Sequence, residues 1–143
     1  MKDMMTIVRD AFVANSIIAE ETGIKQIDKV TNEEKTVYQI KAYEAPETID
    51  TTKAFIIIDT LGPQKTAYFA GNKEMSVQFS YQINVESTSR KKTKLVAKAV
   101  KEVMRGLGFW QLQGGLDEYF NGTKRYVDAR RYRKNTNIHD TDY

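Results

Sequence analysis

The chain has 143 residues, a length that suits one folded domain with its own hydrophobic core. Hydrophobic residues make up 41% of it and charged residues 29%, which is an ordinary globular balance. The absence of cysteine excludes disulfides and thiolate metal sites. No apolar run is long enough to span a bilayer, and acids interrupt the apolar pattern of residues 1–15, so we expect neither membrane insertion nor a signal peptide.

The net charge of +3 conceals an uneven distribution along the chain. Residues 1–89 contain 9 basic and 13 acidic residues, whereas residues 90–134 contain 13 basic and 4 acidic ones. Such a split suits a nucleic-acid surface. It equally suits a protein whose acidic face meets the basic face of a neighbouring copy, and composition leaves both readings open.

The first half of the chain predicts a helix followed by several strands. Apolar residues recur at helical spacing between Asp3, a candidate cap, and Gly23, a candidate stop. The run AFIIID at 54–59 is apolar almost throughout and predicts a buried central strand. The remaining segments are a polar connection at 25–35, strands at 36–43 and 66–70, and a loop at 44–53.

The segment 75–86, MSVQFSYQINVE, carries the clearest pattern, because apolar and polar residues alternate at every position. A period of two predicts a strand with one buried face. Its polar face is uncharged until Glu86, and we take Gln78, Gln82 and Asn84 as candidate interface residues. A solvated face explains the pattern equally well.

A helix is predicted at about 90–107, with Ser87 or Ser89 as its cap and an apolar stripe through Val96 and Val100. Its basic residues recur every three or four positions and form a basic ridge: Lys91, Lys94, Lys98, Lys101 and Arg105. Cations near a helix start oppose the helix dipole, so local helix stability does not explain them. The ridge is either a solvated face or an interface.

The last third predicts a C-terminal β-hairpin. Gly114 and Gly115 indicate a bend or bulge, and Asn121-Gly122 favours a tight turn. The return arm lies within GTKRYVDARRYRK, which we place at a sheet edge, where basic residues discourage uncontrolled pairing. It contributes four further interface candidates: Arg125, Arg130, Arg131 and Arg133. Residues 135–143 are predicted to be a flexible polar tail.

No catalytic, cofactor-binding or metal-binding residue can be assigned. With no cysteine and a single histidine, His139, the usual nucleophile–base pairs and zinc clusters are missing, so we expect no enzyme and no cofactor. Nucleic-acid binding is a better-supported function than catalysis, because the basic ridge and the C-terminal hairpin can form one positive surface. Tyr126 and Tyr132 share a strand face, a placement more typical of packing than of base stacking.

The order of elements from residue 54 to 134 resembles a known family. The strand VQFSYQINVES runs into the helix STSRKKTKLVAKAVKEVM, then LGF, then the hairpin DEYFNGTKRYVDARRYR. This order and spacing resemble the C-terminal half of the tail terminator and tail-completion proteins of long-tailed bacteriophages. The hairpin is more basic than in that family, and residues 25–53 match nothing in it.

The resemblance implies an α+β domain at residues 1–134, with an antiparallel or mixed sheet flanked by the N-terminal helix and the helix at about 90–107. It implies a ring, commonly a hexamer, at the head-proximal end of the tail tube. The implied partners are other copies of the chain, the major tail tube protein, a head-completion protein and DNA that passes through without sequence-specific binding. The resemblance also allows a monomeric chain before assembly. The implied location is the virion, with assembly in the host cytoplasm.

The uncharged strand face then lies at a subunit boundary or in the ring lumen, where fixed charge would hinder passing DNA. Two alternatives stay open beside the tail terminator. One is a head-completion or neck connector protein, which shares the size and the ring assembly, and the other is a basic nucleic-acid-binding module.

Overall fold

A computed structural model describes all residues from 1 to 143, with three helices and eight strands. The helices are α1 (Met4–Ala14), α2 (Ser16–Thr22) and α3 (Arg90–Gly106). The strands are β1 (Gly23–Ile27), β2 (Glu34–Tyr38), β3 (Ile40–Ala42), β4 (Phe55–Thr60), β5 (Lys65–Ala70), β6 (Lys73–Ser87), β7 (Trp110–Phe120) and β8 (Arg125–Asn135). No helix is both long enough and apolar enough to cross a bilayer.

Six strands form one mixed sheet in the order β3-β4-β6-β8-β7, and β5 also pairs with the first part of β6. Only β3 and β4 are parallel, and all other neighbours are antiparallel. Strands β1 and β2 form a separate two-stranded hairpin. This α+β architecture, with its helix before the C-terminal hairpin, confirms the predicted fold class.

The N-terminal helix is divided in two, contrary to the prediction of one continuous helix. Asn15 leaves the helical conformation, and its side-chain oxygen accepts hydrogen bonds from the backbone N–H groups of Ile17 and Ile18, both at 3.1 Å. Asparagine is a preferred helix cap, so it starts α2 at this point. The prediction of a connection at 25–35 was also wrong, because its ends belong to β1 and β2.

The three helices cover one face of the sheet, and the alternation predicted for β6 is confirmed by its burial. The core is formed by apolar side chains from β4, β6, α1 and α3: Ile56, Ile58, Val77, Phe79, Tyr81, Ile83, Val85, Met4, Val8, Phe12, Val96, Val100 and Met104. Each large apolar side chain buried in this way stabilises the fold by about 1.5–3 kcal/mol. No helix covers the opposite side of β6 and β8, which we call the open face.

Strand β8 lies inside the sheet, so its predicted position at the edge was wrong. It pairs with β6 on one side and with β7 on the other, and β7 forms the edge. The predicted bulge is confirmed, because Gly114 and Gly115 have φ of 91° and 109° and the register shifts there. The turn spans four residues, from Asn121 to Lys124, rather than two.

The C-terminal tail packs against the first half of β6 and against the N-terminal residues. The ring of Tyr143 lies 5.0 Å from that of Phe79, and Asp140 accepts a hydrogen bond from Lys2. The hydroxyl of Thr136 accepts a hydrogen bond from the Val77 N–H at 2.9 Å. The domain boundary at 134 and the flexibility of residues 135–143 stay predictions.

Candidate interaction surfaces

The structure separates the predicted interface residues into three groups. The outer side of α3 carries Lys91, Lys98, Lys101 and Arg105. The contact between α3 and β8 holds Lys94 and Arg130. The open face holds Gln78, Gln82, Asn84, Arg125, Arg131 and Arg133, which strand register places side by side. The candidates therefore do not form one continuous surface.

The ridge on α3 is the simplest group. Lys91, Lys98 and Arg105 are exposed and Lys101 is half-buried, and none of the four forms an ion pair. Their charges are available to a partner or to solvent. Lys94, the fifth residue of the predicted ridge, turns inward instead.

Lys94 belongs to a charge cluster between α3 and β8. Its ammonium group lies 2.8 Å from the buried Asp128 carboxylate and 2.5 Å from that of Asp117 on β7. Arg130 donates to both oxygens of Asp128, from Nε at 2.8 Å and from a terminal nitrogen at 3.1 Å. The Asp128 side chain is only 3% exposed, so these cations replace the water that it loses.

The cluster changes the proton affinities of its members. Burial on its own raises the pKa of Asp128, but hydrogen bonds from Arg130 and Lys94 outweigh it and hold that pKa below its ordinary value. Burial lowers the pKa of Lys94, and hydrogen bonds to Asp117 and Asp128 outweigh this, so the net shift is upward. The Arg130 hydrogen bond to Asp128 likewise raises the pKa of that guanidinium, so Asp128, Lys94 and Arg130 are all ionised around neutral pH.

A chain of hydrogen bonds crosses the open face from β8 to β4. Arg131 donates from Nε to the Gln82 side-chain oxygen at 3.0 Å. Gln82 donates to the Asn84 oxygen at 3.0 Å, and Asn84 donates to the Asp59 carboxylate at 2.8 Å. Gln82 and Asn84 thus each accept a hydrogen bond from the Arg131 side and donate one towards Asp59. Hydrogen bonds aligned in this way polarise one another.

Two shorter contacts extend this pattern along the strands. Arg133 donates from Nε to the Ser80 hydroxyl at 3.0 Å, and Gln78 donates to Asn135 at 2.9 Å. The expectation of an uncharged face is therefore corrected, because β8 brings Arg125, Arg131 and Arg133 onto it and β4 brings Asp59. The proximity of Arg131 to β6 could not be predicted, because the sequence does not show which strands are neighbours in the sheet.

Arg131 and Arg133 are each held by one nitrogen only. Nε of Arg131 and of Arg133 makes the single side-chain hydrogen bond of each residue, and neither guanidinium forms an ion pair. Gly114 leaves room beside one of them, because a Cβ at that position would lie 3.0 Å from a terminal nitrogen of Arg131. The terminal nitrogens of both groups are left without protein partners.

The open face is apolar at the end where β4 begins and β6 finishes. Phe55 and Ile57 of β4 are buried there, and the guanidinium of Arg125 lies 5.2 Å from the Phe55 ring centroid. Glu86 lies beside them, and burial raises its pKa despite the opposing charge of Arg125. Arg125 is thus engaged within the chain, unlike the two arginines further along β8.

The edge formed by β7 has no partner strand on its outer side. It carries four exposed large side chains, Trp110, Leu116, Tyr119 and Phe120, with exposed fractions between 37% and 49%. It also carries Asp117 and Glu118 but no lysine or arginine. Lysine is a frequent protection of natural sheet edges, and β7 lacks it, although two acids and the glycine bulge lie on the strand. Its exposed aromatic residues suit a strand that pairs with another chain.

Strand β5, on the other side of the sheet from β7, forms a second long free edge, and the three-residue β3 forms a short one. Its outer side has no partner, and Tyr68 and Phe69 are 54% and 65% exposed. It contains Lys65 and no acid. The two long edges are thus aromatic and unlike in charge. Sequence analysis missed both, because an exposed aromatic residue on a strand looks like a buried one in the sequence.

No group of three or more histidine, cysteine, aspartate or glutamate side chains is placed to hold a metal ion. The backbone N–H of His139 donates to the Met75 carbonyl at 2.7 Å, which ties the tail to β6. The arrangement offers charge pairing and strand pairing.

The sequence matches no protein-family model and no curated protein sequence. A solved structure described as the virion of a native gene transfer agent particle contains a chain of similar fold, with a TM-score of 0.56 and 15% sequence identity. The alignment covers 92% of this chain and 90% of that chain. At this level of identity, the likeness shows a shared fold over almost the whole length of both chains.

Proposed function

We propose that this chain is a non-enzymatic structural virion protein that assembles as a ring at the head-proximal end of a phage tail tube. There it ends tail growth and joins the tail to the head. Two findings support the virion setting: the strand–helix–hairpin order resembles that of tail terminators, and a virion chain of a gene transfer agent has the same fold. Its partners are then other copies of itself, the tube protein and a head-completion protein.

The observation that carries the ring is the pair of unlike free edges on one sheet. A head-to-tail ring needs two different surfaces on each subunit that fit each other. The β7 edge offers aromatic side chains with the unpaired Glu118, since Asp117 already pairs with Lys94, and the β5 edge offers aromatic side chains with Lys65. Pairing β7 of one copy with β5 of the next would bury the aromatic residues and bring opposite charges together.

Strand direction supports this pairing. Both β6 and β7 run antiparallel to β8, and β5 runs antiparallel to β6, so β5 and β7 run in opposite directions. Rotation about a ring axis keeps the direction of each strand relative to that axis. The β5 strand of the next copy therefore meets β7 as an antiparallel neighbour, which is the more stable arrangement.

The two edges are displaced along the strand direction. Trp110, at the start of β7, aligns through Arg133 with Ser80 of β6, whereas Lys65 of β5 pairs with Gln78. By this register all of β5 lies beyond Trp110, the first residue of β7. Sheets that close on themselves have such a stagger, with strands tilted by about 35–45° from the axis.

The test replaces Leu116 on the β7 edge with lysine and measures the molar mass by light scattering. An edge lysine opposes strand pairing, because its charge would be buried in the contact. We expect the wild type to form a closed ring, alone or on tail tubes of the same virion, and Leu116→Lys to stay monomeric and leave the tubes uncapped. The matched control is Leu95→Lys on α3, where the leucine is 44% exposed, compared with 37% for Leu116.

Three outcomes would contradict the proposal. One is a wild type that neither forms a ring nor binds tail tubes at any concentration. Another is a ring that survives Leu116→Lys unchanged, which would exclude the β7 edge. A third is a ring that binds tail-free heads and ignores tail tubes, which would identify a neck connector instead.

A further inference from the structure

We propose that the open face binds the phosphodiester backbone of nucleic acid through Arg131 and Arg133. In the ring, this face would line the channel through which the DNA passes. The placement in a channel rests on the proposed function, whereas the binding chemistry rests on the face alone. Neither the resemblance nor the fold comparison identifies a nucleic-acid-binding residue.

The first step is the state of the two guanidinium groups. Each is anchored at Nε, to Gln82 or to Ser80, and each keeps its terminal nitrogens free. Anchoring reduces the rotamer freedom that an arginine loses when it binds a ligand. The free nitrogens can then donate paired hydrogen bonds to a phosphate without prior reorganisation.

The second step concerns the carboxylates on the same face. Asp59 is separated from Arg131 by two amides, Gln82 and Asn84, and its carboxylate accepts from the nearer one. Glu86 lies at the apolar end, beside Arg125. Glu118 of β7 lies on this face as well. None of the three acids forms an ion pair with Arg131 or Arg133, so the charges of the two arginines remain available to an external anion.

The third step identifies the anion as phosphodiester. The neighbours of the arginines are amides and hydroxyls, namely Gln78, Ser80 and Asn135, and such side chains together with arginine make most contacts to nucleic-acid phosphates. The two arginines lie two residues apart on one strand, about 7 Å from each other, and therefore face successive anionic groups. A flat sheet face inserts nothing into a groove, so the binding would be independent of sequence.

The test measures the affinity for a fluorescent DNA duplex of about 30 base pairs at several salt concentrations. Each phosphate contact adds about 0.9 to the slope of log K against log salt. We expect the double variant Arg131→Gln, Arg133→Gln to lose about 2 from that slope, and either single variant about 1. Arg131→Lys with Arg133→Lys should retain the slope, because the charge remains.

The matched control replaces two exposed cations on the other side of the sheet, Lys98→Gln with Arg105→Gln. This pair removes the same charge from the α3 ridge, and we expect it to leave the slope unchanged. A thermal melt by circular dichroism confirms that each variant is folded. The single variants keep the test usable if the double arginine variant unfolds.

The proposal would be overturned by a slope that the arginine variants leave unchanged, or by one that falls equally in the ridge control. Loss of binding to the tube protein with unchanged DNA binding would overturn it in favour of a protein interface. The two proposals fail separately. A ring without arginine-dependent DNA binding refutes only this inference, whereas arginine-dependent DNA binding by a protein that forms no ring refutes only the ring.

Discussion

Two neighbouring arginines in β8, Arg130 and Arg131, face opposite sides of the sheet and meet opposite conditions. Arg130 lies under α3, where it neutralises the buried Asp128 together with Lys94. Arg131 lies on the open face, where a neutral amide holds its Nε and its other nitrogens have no partner. The same residue type is therefore structural on one side of a strand and available for binding on the other.

The difference follows from burial. On the helix side, Asp128 has lost almost all contact with water, so removing one of its two cations leaves a buried charge that the other cation compensates only in part. On the open face, water replaces any side-chain partner that is removed, and surface contacts of this kind contribute little to stability. We therefore expect large effects of substitution on stability under α3, and effects mainly on binding across the sheet.

The largest effect is expected for Asp128→Asn. The variant leaves Arg130 without a carboxylate partner and Lys94 with Asp117 alone, and a broken buried ion pair of this kind costs about 3 kcal/mol of unfolding free energy. Urea denaturation at neutral pH measures the change. A loss below about 1 kcal/mol would mean that the cluster is solvated and that the contrast between the two sides is wrong.

The stability loss caused by Asp128→Asn should depend on pH. The pKa of Asp128 is lowered in the folded chain, so its ionised form stabilises the fold above the ordinary aspartate pKa of about 3.9. This contribution is lost as the pH falls through the lower, folded-state pKa. The stability difference between wild type and Asp128→Asn should thus be constant around neutral pH and shrink in acid. A difference that does not shrink at all as the pH falls below about 3.9 would contradict this origin.

A smaller loss of unfolding free energy is expected for Arg130→Gln. Arg131→Gln provides the direct comparison on the other side of the strand. The first removes two hydrogen bonds to a buried carboxylate that keeps only Lys94, and we expect a loss of about 2 kcal/mol. The second removes one surface hydrogen bond and should cost less than about 0.5 kcal/mol. Equal losses in thermal or urea denaturation would show that the two sides of β8 are energetically alike.

The local features of the fold could be predicted from the sequence where a pattern has a short-range cause. The alternation in 75–86 produced β6, and Ser89 caps α3 with its side chain accepting from Lys92. The adjacent glycines at 114 and 115 allowed the bulge. The break at Asn15 was missed because the apolar spacing continues past it, although asparagine is a strong cap.

The long-range features could not be predicted in this way. The contact between Lys94 and Asp128 joins residues 34 positions apart, and the spacing of the basic ridge gave no reason to turn one lysine inward. The only signal was Asp128 itself, the single acid in a basic strand. Likewise, the position of β8 between β6 and β7 depends on strand order, which local patterns do not determine.

The ring through β5 and β7 is tested most directly by disulfide cross-linking, because the chain has no cysteine of its own. Tyr68→Cys on β5 would be combined with one cysteine at a time along the open-face side of β7, at Trp110, Leu116, Glu118 or Phe120. Residues opposite each other on paired strands satisfy disulfide geometry, whereas those one or more pairs away do not. Tyr68→Cys with Val30→Cys, on the exposed β1–β2 turn, is the control.

Under mild oxidation in the assembled state, we predict that one register of the β5–β7 combinations gives a ladder of covalent oligomers that ends at the ring. The other registers should give much less product. If every combination links no better than the Val30 control, the two edges do not meet between copies and the ring proposed here is wrong.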